Sequence, residues 1–163
     1  MLKQLFLDGF SFENFIQISS QEEKGLVKEI QNNIKFSDEN LERIKKINKE
    51  IFIVTSVETW CPFARVFSTT MNEVAKINNK IKLSFITMGR GTFTSGTILE
   101  ISEDDFVVPT AIITDETFET KKSFIGYPEV YKNGFKGERL NYFKGEKTEL
   151  IINEILEKIE ELN

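Results

Sequence analysis

Ile51-Phe52-Ile53-Val54-Thr55 followed by Glu58-Thr59-Trp60-Cys61-Pro62-Phe63-Ala64-Arg65 is the stretch that decides how this chain folds. The first run is β-branched and apolar, as in a buried strand. Beyond Cys61 the periodicity changes: Phe63, Val66, Phe67, Thr70, Val74 and Ile77 mark one face of a helix that ends near Asn78-Asn79. Cys61 therefore lies where a strand gives way to a helix, against unpaired backbone N–H groups and the positive end of the helix dipole. That setting favours thiolate, the nucleophilic form, over thiol. Pro62 suits the first helical position, where a missing N–H costs nothing, and Trp60 is expected beside the sulfur.

Working outward, Ile81 to Met88 reads as a second strand, so strand, helix and strand form a βαβ unit with parallel strands and a right-handed crossover. Gly89-Arg90-Gly91 reads as a turn; it lacks the further glycines and the lysine of a phosphate loop. A short helix is expected around Thr97 to Ile101. Val107 to Thr114 reads as a strand opening at a proline, and Thr120 to Gly126 as its hairpin partner. Glu129 to Lys147 is rich in Gly and Lys and carries no clear period. Thr148 is expected to cap a last amphipathic helix, with Ile151, Ile152, Ile155, Ile159 and Leu162 inward and Glu149, Glu154, Glu157, Glu160 and Glu161 forming a solvated acidic face. The acidic run Glu103-Asp104-Asp105 is read as solvated rather than metal-binding.

Upstream, residues 1–49 read as a helical extension packed on the core formed by residues 50–163. Ser11 precedes Phe12, Phe15 and Ile16, and Leu26, Ile30 and Ile34 continue at helical spacing, with Ser19-Ser20 or Gly25 as places to break. Ser37 is a good N-cap ahead of Leu41, Ile44 and Ile47. This segment is expected to pack on the sheet; the alternative is a docking surface for a partner.

Composition narrows the function. The 163 residues include one cysteine and no histidine, with a net charge of −5. Cys-His catalysis and every histidine-dependent metal site are excluded. With Ala64 where a Cys-x-x-Cys motif needs its second sulfur, no intramolecular disulfide can form, so any redox cycle must pass through a mixed disulfide with another molecule. The negative charge argues against a broad nucleic-acid surface. No apolar run approaches the ~20 residues that span a bilayer. The N-terminal stretch does not read as a signal peptide, and a reducing cytoplasm is expected. No cofactor or metal is called for, and a monomer or weak dimer is expected.

The order of elements, with Trp60-Cys61-Pro62 closing the first strand and Val108-Pro109-Thr110 opening the third, resembles the thioredoxin superfamily. Gly126-Tyr127-Pro128 and the helical extension look most like a bacterial group of thioredoxin-like proteins with long N-terminal helices. The resemblance covers roughly Ile51 to Asn163, and the extension less securely. It implies an α/β fold: three α/β/α layers around a four-stranded mixed sheet. It also implies a cis-proline loop at Pro109 that packs on the reactive sulfur and shields it. Val108 would offer its N–H and C=O to an extended substrate. Trp60, Pro62, Val108, Pro109 and Thr110 would bind the partner, and Cys61 would be catalytic.

Two departures from the family pattern stand out. Ala64 replaces the second cysteine, leaving a monothiol Cys-x-x-Ala site. Thr55 replaces the buried acid six residues before the cysteine, while Glu58 is expected in the loop, facing water. Arg65, four residues after Cys61, reads either as a solvent-facing helix residue or as a group stabilising the thiolate or an oxyanion, as in the arsenate-reductase-like branch. Three functions stay open: single-cysteine thiol-disulfide exchange with a protein disulfide or low-molecular-weight thiol, an inactive peptide-binding module with Cys61 as an inert remnant, and oxyanion chemistry through Arg65.

Overall fold

The computed structural model describes residues 1–162. Four helices precede the sheet: α1 (Leu2–Asp8), α2 (Phe12–Ile18), α3 (Gln21–Asn33) and α4 (Asp38–Lys45). The serines set the starts. Ser11, Ser20 and Ser37 each accept a hydrogen bond from a backbone N–H three residues on, and Ser20 with Glu23 forms a full capping box. The chain breaks at Ser19-Ser20 and runs helical through Gly25.

Next come β1 (Ile51–Val57), α5 (Pro62–Ile77), β2 (Ile81–Thr87) and α6 (Met88–Leu99), then β3 (Thr110–Asp115) and β4 (Lys121–Ile125). A one-turn 3₁₀ helix at Glu129–Tyr131 and the short α7 (Arg139–Phe143) lead to α8 (Thr148–Glu160). The sheet order is β2-β1-β3-β4. β1 is parallel to β2 and antiparallel to β3, and β3 is antiparallel to β4. This is the thioredoxin-like α/β architecture, a mixed four-stranded sheet flanked by helices.

Side-chain alternation along β1 divides the layers. Ile51 and Ile53 belong to the main core with Phe67 and Met71 of α5, Ile113, Phe124 and the α8 isoleucines. Val54 faces the other way, with Leu2 and Leu5 of α1, Ile86 and Ile112. Each of these fully buried side chains contributes roughly 1.5–3 kcal/mol relative to exposure.

The extension closes the outer edge of β2. Phe10 exchanges two backbone hydrogen bonds with Phe85, at 2.7 and 2.9 Å, and Ser84 Oγ donates to the Phe6 carbonyl at 2.6 Å. An open edge strand would otherwise present unpaired backbone groups. Gly9 is required here, because a Cβ at that position would lie 1.9 Å from Ser84 Oγ and 2.8 Å from the Phe85 carbonyl.

Three expectations are corrected. Gly89-Arg90-Gly91 is not a turn: it opens α6, and the helix expected near Thr97 to Ile101 begins nine residues earlier and ends at Leu99. Thr87 Oγ1 accepts from the Arg90 N–H, Gly91 lets the helix approach Ser56 of β1 more closely than a side chain would allow, and Gly96 lies close to the Ile101 carbonyl and the Phe106 ring. Glycine thus serves close approach here, at a cost in helix propensity. The third strand begins at Thr110 rather than at Val107; residues 107–109 form a loop with a cis Val108–Pro109 peptide. Thr148 is the buried first residue of α8 rather than its cap, and Lys147 at the cap position makes no capping bond.

Candidate functional site around Cys61

Cys61 occupies the N-cap position of α5, with Pro62 opening the helix. Its backbone N–H donates to the Glu58 carbonyl at 3.2 Å, closing the turn that carries Thr59 and Trp60. Sγ lies 3.6 Å from the Val108 carbonyl oxygen, as a weak sulfur donor. Chain ends of two distant elements, the close of β1 and the loop before β3, therefore meet at this sulfur.

The sulfur is not open to solvent all round. Cys61 is only 6% exposed, in a cluster with Val57, Ala64, Phe106 and Val108. Trp60 does not cover it: its ring is 63% exposed. Pro62 is half-buried, and Val108, Pro109 and Thr110 are buried. Thr110 Oγ1 donates to the Val107 carbonyl at 2.6 Å, and the Gly126 N–H donates to the Pro109 carbonyl at 2.7 Å. The proline loop is thus held from both ends, while Val107 and Tyr127 stay exposed beside it.

Arg65 is not a solvent-facing helix residue. It is 8% exposed because α3 packs across the outer face of α5. Its Nη2 donates to the Thr59 carbonyl at 3.0 Å, and its Nε has no partner. Burial holds the guanidinium below its ordinary pKa, opposed chiefly by the nearby carboxylate of Glu23. A buried cation thus ties down the turn two residues before the thiol and shares its field with the sulfur.

Glu58 does not simply face water. It is half-buried, and its Oε1 accepts from the Met88 N–H at 3.1 Å, at the start of α6. A carboxylate at a helix N-terminus meets both the orphan N–H groups and the dipole. The active turn is therefore pinned at both ends, by Glu58 to α6 and through Thr59 to Arg65. Thr55, 1% exposed, puts no ionisable group beneath the thiol. Among the described residues no group of three or more acidic or sulfur side chains converges as a metal site.

An aromatic cluster flanks the turn, and sequence reasoning missed it. The Phe63 ring lies 4.9 Å from Phe143, 5.9 Å from Tyr127 and Phe135, and 6.3 Å from Tyr142. The tight spacing of Tyr127, Tyr131, Phe135, Tyr142 and Phe143 in an otherwise unreadable segment was its only signal.

A family model described as thioredoxin matches residues 9–139. Among solved structures, the chain is similar to a protein of unknown function from Pseudomonas aeruginosa, with 21% identity, a TM-score of 0.92, and coverage of 99% of this chain and 98% of that one. It is likewise similar to an HIV epitope-scaffold, with 21% identity, a TM-score of 0.90, and coverage of 98% and 97%. At such identity these likenesses speak for the fold alone. No curated protein matches the sequence. The family match begins within the helical segment ahead of β1 and runs through both the cysteine turn and the proline loop, so the chain belongs to the thioredoxin family.

Proposed function

We propose that this protein is a single-cysteine thiol-disulfide exchange protein of the reducing cytoplasm, of the bacterial thioredoxin-like kind with an N-terminal helical extension. The observation that carries this reading is the placement of Cys61 Sγ at the N-terminus of α5, 3.6 Å from the Val108 carbonyl. In the reaction, the Cys61 thiolate attacks one sulfur of a disulfide. The S–S bond breaks, and the leaving thiolate takes up a proton. The mixed disulfide is then attacked by a thiolate from a protein or a low-molecular-weight thiol, which releases Cys61 and forms a new external disulfide. Electrons balance as one disulfide exchanged for another. No second cysteine of this chain can resolve the intermediate. Val108 would pair its backbone with the partner, and Trp60, Pro62, Pro109 and Thr110 would line the approach. Arg65 would act as a positioning and charge-stabilising residue.

The test is incubation with a small symmetric disulfide and with peptidyl disulfides, scored by intact mass, with Cys61→Ser as the blank. A mixed disulfide on Cys61 that a second thiol reverses supports the reading; a Cys61 that reacts only after denaturation sinks it. That second result would favour a peptide-binding module without turnover, a reading supported by the 6% exposure of Cys61. Oxyanion chemistry through Arg65 has less support, since the buried guanidinium already donates to the Thr59 carbonyl.

A further inference from the structure

The segment between β4 and α8 is the one part of the molecule near the thiol whose charge runs against the whole. The chain has a net charge of −5, yet Tyr127 to Lys147 carries five cations (Lys132, Lys136, Arg139, Lys144 and Lys147) against Glu129, Glu138 and Glu146. Two of these three carboxylates are engaged, while that of Glu129 is exposed. Glu138 accepts from the Tyr131 hydroxyl at 2.8 Å and pairs with Lys147 at 3.5 Å, and Glu146 accepts from Asn141 at 2.5 Å. Lys132, Lys136 and Arg139 are exposed and have no ion-pair partner among the described residues. Lys136 contributes only to the field that lowers the Glu138 pKa.

A chain of ring contacts runs from one of these cations, Arg139, towards the cysteine turn. The Arg139 guanidinium lies 5.2 Å over the Phe135 ring, and Phe135 lies 5.9 Å from Phe63, two residues beyond Cys61. Tyr127, 37% exposed, contacts both Phe63 and Phe135. The segment leaves β4 at Gly126, whose N–H is bonded to the Pro109 carbonyl. Exposed apolar groups are interleaved with the charge, notably Leu140 at 69%.

We propose that this segment is a docking surface for an acidic polypeptide segment of the protein whose disulfide Cys61 exchanges. The proposal rests on the exchange reading and names the partner's chemistry. Unmatched cations beside an extended-backbone site recruit carboxylates and raise the encounter rate. Exposed Tyr127 and Leu140 add apolar surface to the segment. A nucleic acid fits less well, because the cations are few and the rest of the surface is acidic.

The experiment uses fluorescein-labelled, cysteine-free peptides of one length and one set of apolar residues, rich in Glu, Gln or Lys, with binding read by anisotropy. At low salt the Glu peptide should bind about tenfold tighter than the Gln peptide, and the preference should fall below about twofold at 0.5 M salt. The paired change Lys132→Glu with Lys136→Glu should abolish the preference. The same charge change at exposed Lys28 and Lys45, on α3 and α4, should leave it intact. Arg139→Gln, with circular dichroism to confirm folding, provides a second lesion and should weaken the preference. Equal affinities for the three peptides, a preference indifferent to Lys132 and Lys136, or tighter binding of a single-stranded oligonucleotide would each overturn the proposal. Mixed-disulfide formation at Cys61 is scored separately. An inert Cys61 with the acidic preference intact defeats the exchange reading alone; a reactive Cys61 with no preference defeats the docking surface alone.

Discussion

Tyr142 is the fully buried residue whose chemistry fits its surroundings least well. Its ring is 0% exposed among Phe63, Tyr131, Phe135 and Phe143, yet its hydroxyl has no hydrogen-bond partner. Burial pushes its ionisation well above the ordinary tyrosine value. Tyr142→Phe keeps every ring contact and removes one oxygen. An unpartnered buried hydroxyl costs about 1–3 kcal/mol. The vacancy left by one oxygen, at roughly 15 Å³ and ~24 cal/mol per Å³, costs only about 0.4 kcal/mol. The polar term wins, so the variant should be more stable by about 0.6–2.6 kcal/mol. For a chain of this length that raises Tm by roughly 2–4 °C per kcal/mol. Urea unfolding followed by circular dichroism, with a thermal melt beside it, measures both. A variant destabilised by more than about 0.5 kcal/mol refutes the reasoning, and would mean the hydroxyl is held by a buried water in the aromatic cluster beside the thiol.

Three further outcomes follow from the same structure. A Cβ on Gly91 would sit 2.6 Å from Ser56 Cβ and 3.0 Å from Phe106 Cζ, so Gly91→Ala should cost about 1–3 kcal/mol despite its better helix propensity. Adding Ser56→Gly should recover part of that loss, and a double-mutant cycle in urea with coupling near zero would show that α6 does not bear on β1 there. Ala64→Cys supplies the missing resolving thiol in the first turn of α5. Mixed disulfides that accumulate on the native protein should then vanish from intact-mass spectra, and their persistence would place residue 64 out of reach of Cys61. Tyr131 is pushed up to about 12 by burial and by its bond to Glu138. Its raised value means the neutral form supports the fold below pH ~10, and that support drains away as pH rises towards 12. Absorbance at 295 nm should show Tyr131 and Tyr142 still protonated at pH 11 until denaturant is added, and full tyrosinate in the native protein at that pH would contradict the packing.

The readable part of this fold is the part governed by local rules. The first two strands, the Cys61-Pro62 junction and the serine caps at Ser11 and Ser37 are set by residues a few positions apart, and each appears where local chemistry places it, whereas the third strand starts three residues later than its apolar run. Misreadings arise where a distant element overrides the local signal. Gly89-Arg90-Gly91 has the composition of a turn, but Glu58, just past the end of β1, accepts from the Met88 N–H, and β1 needs glycine at position 91 for close approach. Glu58 itself looks like a solvated loop acid until β2 delivers the next helix start beside it. Arg65 reads as surface because the extent of α3's cover over α5 is invisible in the sequence around Cys61. The aromatic cluster was unreadable because its turns carry the positive-φ residues Gly134, Lys136, Gly137 and Gly145, which erase any period.

That covering of α5 has a consequence for how a partner reaches the thiol. In a barer version of this fold the helix after the cysteine would keep one face in water. Here α2, α3 and α4 pack on α5, Arg65, Ser68, Thr69 and Thr70 are all buried, and Thr69 and Thr70 turn their hydroxyls back to the helix carbonyls of Arg65 and Val66. Phe12, Phe15 and Val27 of α2 and α3 join the cluster that encloses Cys61 itself. The extension therefore closes the turn on one side. The exposed groups near the sulfur are Trp60, Val107 and Tyr127, and the basic segment begins at Tyr127. On the exchange reading proposed above, a partner would come in over that rim. On that reading the proposed basic docking segment adjoins the side that the N-terminal helices leave uncovered.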